Sequence, residues 1–382
     1  MQLPFPIATY HDRLARVRAR LADRGLDGLV VTTPDAIHWL TGFDTIGYLW
    51  SQALVIGRDG AEPTLVTRTS ERPGVAATSW LREPRIYDIA AQRPAGEIAE
   101  AVRGHRLSAG SVGIDLQAFT LVPAVWEELK AELPEVTWTD ASDIVAEARL
   151  VKEPAEIGYQ RQAAAMADAA MSAVVAAIGP GISETELAGI AARELGAAGS
   201  EYAAIPPMVV SGERTTLVHA LAGRRTVARG DLVCVELAGV VHRYHAVLMR
   251  TVSVGPPAPR VRQVADCLER AMAAAVGAAR PGAAAPEPDR ACNAVLDELD
   301  LTGNRCHRIG YSLGVAYPPG WLEPMTLVDG DPHVLAPGMS FTIEPNLTLP
   351  AEGFGLKLGE TVLCTPDGPE RLSAIDPALI VT

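Results

Sequence analysis

The sequence is short of positive charge: 33 Lys and Arg stand against 46 Asp and Glu, a net charge of −13 over 382 residues. That excludes the basic footprint on which nucleic-acid binding rests. No run approaches the roughly 18 consecutive apolar residues that a membrane-crossing helix needs. The opening Met1-Gln2-Leu3-Pro4-Phe5-Pro6 lacks a basic start followed by an apolar core, so no leader peptide is expected. The five cysteines show no CxxC spacing, and Cys234, Cys292 and Cys364 fall in apolar patterns that read as buried thiols. A reducing cytoplasm is the expected compartment. What remains is 48% hydrophobic and 21% charged, the composition of a folded chain long enough for more than one domain.

Elements alternate along the first part. Leu14, Val17 and Leu21 form an apolar stripe among Arg13, Arg16, Arg18 and Arg20, and Gly25 ends that helix. Gly28–Thr32, Ala53–Gly57, Leu65–Thr67, Arg85–Tyr87 and Val112–Ile114 read as short strands with helices between them. The pattern predicts an α/β domain over residues 1–150. Glu153-Pro154 opens a long Ala-rich helix that Gly179-Pro180-Gly181 stops, and Ser183-Glu184-Thr185-Glu186 is a capping box for the next. A second Ala-rich helix from about Arg262 to Arg280-Pro281-Gly282 repeats the grammar. Two helix–helix–strand halves predict a pseudo-twofold α+β domain over residues 151–382.

The informative absence lies in the hairpin Gly230–Gly239 and Tyr244–Thr251. It resembles the metal-binding hairpin of the creatinase/aminopeptidase P ("pita-bread") family without its aspartates. Trp39–Phe43, Arg149–Glu153, Ser211-Gly212 before His219, Gly310–Gly314, Pro337–Pro345 and Leu358–Thr361 carry the same resemblance in family order. It implies two metal ions held by two Asp, one His and two Glu. The matching positions read Glu236, Val247, Tyr311, Glu344 and Glu360. Valine cannot ligate a metal, so no metal and no other cofactor is expected.

Within the family, Tyr311 and the segment Tyr317-Pro318-Pro319-Gly320-Trp321 resemble the metal-independent ectoine hydrolases, from which the extra carboxylate Glu344 departs. That resemblance implies hydrolysis of a C–N bond in a small cyclic amidine or guanidino/ureido amino-acid derivative. Glu236 is the implied nucleophile and His219 the general acid/base. Glu344 and Glu360 bind cationic nitrogens and aim water, and Tyr311 donates a hydrogen bond. The alternation of Leu232–Leu237 puts Glu236 on one face with Leu232 and Cys234, where a His219 imidazolium favours its anion. Tyr317 and Trp321, on a Pro-Pro-Gly loop that cannot be regular structure, read as an aromatic wall attracting an amidinium. His245 reads as a group behind the site, and His242 as a turn residue. The family further implies a homodimer whose first domain caps the partner's pocket, with Tyr48, Trp50 and Arg68 as candidate lid residues.

Plain structural readings stand beside these. A lone histidine is most often structural, a strand tyrosine is usually core, and the two glutamates can be relics satisfied by Arg or Lys357. A metal-dependent Xaa-Pro aminopeptidase or dipeptidase with a degenerate site is one alternative, and a non-catalytic binding protein is another.

Overall fold

The computed structural model describes residues 3–382. Met1 and Gln2, the start of the stretch read above as lacking a leader pattern, lie outside the described residues. The chain divides into two compact units, one ending at Arg149 and the other running from Leu150 to Thr382.

The first unit is a mixed sheet flanked by helices. Its strands are β1 (Gly28–Val31), β2 (Ala53–Gly57), β3 (Thr64–Arg68), β4 (Arg85–Tyr87), β5 (Ser111–Ile114) and β6 (Thr137–Asp140), in the order β4-β3-β2-β1-β5-β6. The helix Ile7–Asp23 buries Tyr10, Leu14, Val17 and Leu21 at the helical period. Gly25, at φ 65°, closes it while Leu26 N–H donates back to Leu21 O at 2.9 Å. Arg13, next to that stripe, does not face solvent. It is buried, its guanidinium lies 4.2 Å from the Phe5 ring, and it donates to Trp39 O at 2.9 Å. An aromatic cradle and a backbone acceptor replace its water.

The second unit wraps helix pairs around a larger sheet. Helices Pro154–Ala177 and Glu184–Ala197 precede β7 (Met208–Ser211), β8 (Leu232–Val241) and β9 (Tyr244–Ser253). Helices Pro259–Ala278 and Glu287–Leu296 precede β10 (Tyr311–Tyr317), β11 (Gly320–Thr326), β12 (Ser340–Ile343), β13 (Leu347–Leu349), β14 (Phe354–Leu356), β15 (Gly359–Thr365), β16 (Gly368–Arg371) and β17 (Ile380–Val381). The main sheet runs β11-β10-β12-β15-β9-β8-β7, so β15, from the second half, pairs with β9 of the first. Capping boxes at Glu153/Glu156 and Ser183/Glu186 start the first two helices.

The hairpin β8–β9 positions the site. Val233, Val235, Leu237 and Leu248 pack on Ala167, Ala170, Met171 and Val174 of the long helix. Helix and strand approach so closely that a Cβ at Gly239 would lie 1.9 Å from Ala163 O, which requires glycine there. With those side chains facing the helices, strand alternation sends Cys234, Glu236 and Ala238 to the opposite face. The partners Glu236↔Met249 and Ala238↔Val247 put Met249 and Val247 on that face as well.

Candidate active site

A cavity of about 530 Å³ opens on that second face. Among the residues lining it are His219, Glu236, Met249, His307, Arg308, Tyr311, Trp321, Glu344 and Lys357. Five of the sequence-predicted residues therefore converge: Glu236 from β8, Tyr311 from β10, Trp321 from β11, Glu344 just after β12, and His219 from the loop after the turn Gly212–Thr216.

Glu236 is buried and its Oε2 accepts from Lys357 Nζ at 2.7 Å. The cation in contact with Glu236 is thus the Lys357 ammonium, where the sequence reading had placed an imidazolium. The same Nζ donates to Val218 O at 2.6 Å. One ammonium ties the strand carrying Glu236 to the loop carrying His219. His219 itself is exposed, and its ring is nearly parallel to that of His307, with centroids 6.2 Å apart and a 13° interplanar angle.

Glu344 behaves differently. Burial, and then repulsion from Glu236, raise its pKa well above the usual carboxyl range, so its neutral acid form is favoured. Tyr311 Oη donates to Glu344 Oε2 at 3.3 Å and accepts from Trp321 Nε1 at 2.9 Å. Burial and the two glutamates keep the Tyr311 phenol protonated. His307 Nδ1–H donates to Arg308 O at 2.7 Å, and burial lowers its pKa. Its ring lies 3.8 Å from Glu344 Oε1, and both shifts disfavour the charged forms that an ion pair needs.

The register corrects the placement of Glu360. Partners Gly359↔Met249 and Glu360↔Leu248 put Gly359 on the cavity face and turn Glu360 toward the helix side. A shift of one residue in a strand reverses the face. Glu360 is buried there between Arg250, at 3.2 Å, and Arg371, and does not line the cavity. The cavity position carries no side chain, and its space is filled: a Cβ at Gly359 would meet Glu344 Cβ at 2.7 Å and Met249 Sδ at 3.0 Å.

His245 is likewise not a contact residue. Its Nε2 accepts from Ala204 N–H at 2.9 Å and its Nδ1–H donates to Arg243 O at 2.9 Å, so the backbone uses both nitrogens. Complete burial lowers its pKa to about 3, and it stays neutral. The Pro-Pro-Gly loop is regular after all. Tyr317↔Gly320 pair across a two-residue turn, Pro318-Pro319, where no N–H is needed, and Trp321 lies within β11. Tyr317 is buried under the Arg243 guanidinium at 4.7 Å and is not among the residues lining the cavity. In the first unit the Arg68 guanidinium lies 3.5 Å from the centroid of Trp50 and pairs with Glu71, while Tyr48 packs edge-on against Phe119.

The donor set does not fit a pair of divalent ions. Val247 belongs to an apolar cluster with Ala238, Met249, Tyr311, Leu313 and Trp321. Gly359 offers nothing, Glu236 is engaged by an ammonium, and Glu360 faces away. Among the described residues no group of three or more His, Cys, Asp or Glu side chains is placed to hold a metal ion.

Sequence reasoning passed over His307 and Arg308 and gave Lys357 only a relic's partner role. Lys357 had a signal: it is one of three lysines in the chain, set between apolar Leu356 and Leu358. His307 and Arg308 stand just before the Gly310-Tyr311 block, where the chain enters β10.

Residues 159–366 match the metallopeptidase family M24, and residues 13–151 match the creatinase/prolidase N-terminal domain. The ectoine hydrolase of Halomonas elongata is 31% identical, covering 100% of this chain and 99% of that protein. A probable dipeptidase, PepE, of Mycobacterium tuberculosis is 32% identical, covering 99% and 98%. The crystal structure of dipeptidase PepE from Mycobacterium ulcerans superimposes with a TM-score of 0.84 at 29% identity, covering 99% of each chain. With one domain matched to each half and relatives alike from end to end, the chain belongs to the metallopeptidase family M24, built on its creatinase-type, pita-bread architecture.

Proposed function

We propose that this M24 protein is a metal-independent hydrolase that opens a C–N bond of a small cyclic amidine or guanidino/ureido amino-acid derivative. The observation that carries the reading is the Glu236–Lys357 pair in a cavity where Tyr311, packed with Val247, stands at a position matched to one of the family's metal ligands. The full-length likeness to an ectoine hydrolase supports the same class.

Lys357 orients the Glu236 carboxyl group at the cavity wall, and a carboxylate there can act as a nucleophile. Attack of a Glu236 oxygen on the amidinium carbon forms a C–O bond and moves the C=N electron pair onto nitrogen. His219, as general acid, protonates the departing nitrogen, and the C–N bond breaks. Water then adds to the resulting acyl-type adduct while His219 takes its proton, and cleavage of the C–O bond returns the Glu236 carboxylate. Glu344, protonated beside Tyr311, offers a hydrogen bond and adds no second negative charge. Trp321 gives the ring an apolar wall. Glu360 has no part in this scheme.

Exposed Ile46, Leu49 and Trp50 on the first unit support a further proposal, a homodimer in which that surface is covered by the partner subunit. Two measurements test the reaction. Ring opening of ectoine by chelator-treated protein is expected to equal that of untreated protein; activity that disappears with chelator and returns with Mn refutes the reading. His219→Ala is expected to lower kcat by about 10²- to 10⁴-fold. Unchanged turnover in that variant removes His219 from the mechanism.

A further inference from the structure

Arg308 carries a guanidinium to which the fold gives no acidic partner. Its side chain lines the cavity beside His307, Tyr311 and Lys357. It lies 5.0 Å from the centroid of the Tyr311 ring, and its Nε is buried without an acceptor. No described residue forms an ion pair with it. Other arginines of the same unit have acidic partners: Arg250 has Glu360, Arg225 has Asp231 and Arg305 has Asp289. The carboxyl that shares its cavity wall, Glu344, forms no ion pair with it. A buried charged donor without an acceptor is costly, and a guanidinium presents a planar fork matched to a carboxylate.

We propose that Arg308 binds a carboxylate on the substrate, so that the ligand spans the cavity as a zwitterion, its cationic C–N centre at Glu236 and its carboxylate at Arg308. This rests on the hydrolase reading above for the identity of the reacting end. A cavity of about 530 Å³ accommodates a small ring bearing both groups. The stack on Tyr311 aims the fork and keeps it from collapsing onto Glu236. Selectivity then comes from the two charges at opposite ends and not from the size of the ring.

The test compares two pairs of probes that differ only in the carboxylate. The reactive pair is ectoine and the same cyclic amidine without its carboxylate. The inert pair, which has no scissile bond, is pipecolate and piperidine, read by calorimetry. Arg308→Met, which keeps the length of the stem, is expected to raise KM for ectoine by about 10- to 100-fold and to leave the decarboxylated amidine within about twofold. Pipecolate binding is expected to weaken likewise, and piperidine binding to stay unchanged. Arg308→Lys retains the charge and restores part of the carboxylate preference. It also serves if the Met variant does not fold. Equal losses on both members of a pair overturn the clamp. Should wild-type protein turn over neither amidine while pipecolate binding still depends on Arg308, the clamp stands and the reaction assignment falls.

Discussion

The two faces of the main sheet treat buried glutamates in opposite ways. On the helix-facing side, Glu360 is enclosed by the guanidinium groups of Arg250 and Arg371, and Arg250 also donates to Ile375 O at 2.6 Å. On the cavity side, Glu236 meets a single ammonium and Glu344 meets a phenol. The residue type is the same and the burial is similar. The difference is the number of positive charges supplied. A carboxylate enclosed by two guanidinium groups is a structural tie. One left with partial compensation keeps either reactivity, as Glu236, or a proton, as Glu344.

The comparison can be broken in three places. The largest effect is expected from Glu236→Gln, which should reduce kcat for amidine opening by at least ~10³-fold, since losing a nucleophile leaves only binding and electrostatic assistance. Thermal unfolding of that variant should also shift downward, because Lys357 loses its buried counter-charge, so turnover is compared per folded molecule. A fully active Glu236→Gln would make the two faces equivalent in function. The reverse is expected for Glu360→Gln. Urea unfolding should show a loss of about 3–5 kcal/mol, because Arg250 is left buried and undercompensated. Turnover per folded molecule should be preserved within a few-fold; a collapse of kcat in a stably folded Glu360→Gln would move that residue back into the chemistry.

The smallest effect concerns pH. Glu344 titrates above the usual carboxyl range in the folded state, so folding favours its protonated form. The stability this contributes is complete below about pH 4.3, the ordinary glutamate value, and is lost as pH rises through the raised one. Glu344→Gln removes that loss. The variant should therefore gain on wild type as pH increases across this window, by at most about 1.4 kcal/mol per pH unit in urea titrations. A gap between the two that does not change with pH would show that folding does not favour the protonated form of Glu344.

Much of the fold was legible because its signals are local. The stripe Leu14, Val17 and Leu21, the glycine at position 25, and the capping box Ser183/Glu186 each act within a turn or two of helix. The burial of Arg13 had no such local signal, because its cradle includes Trp39, 26 residues away. The site was legible where a strand could be followed from one fixed point: the alternation from Leu232 gave the face of Glu236. It failed at Glu360, where the face depends on how β15 aligns with β9 and a one-residue slip reverses the result. Tyr317 failed for a related reason, because Arg243, which covers it, comes from another part of the unit.

By itself the sequence determined the helices, the strand periods, the order of the motifs and the loss of metal-binding donors at Val247 and Tyr311, since each of these is written in residue type and short-range spacing. Only the tertiary structure decided which carboxylates reach the cavity and in what charge state. That choice rests on register, burial and the position of Lys357, which meets Glu236 across 121 residues of chain, and electrostatic energy depends on distance in space and not on distance in sequence.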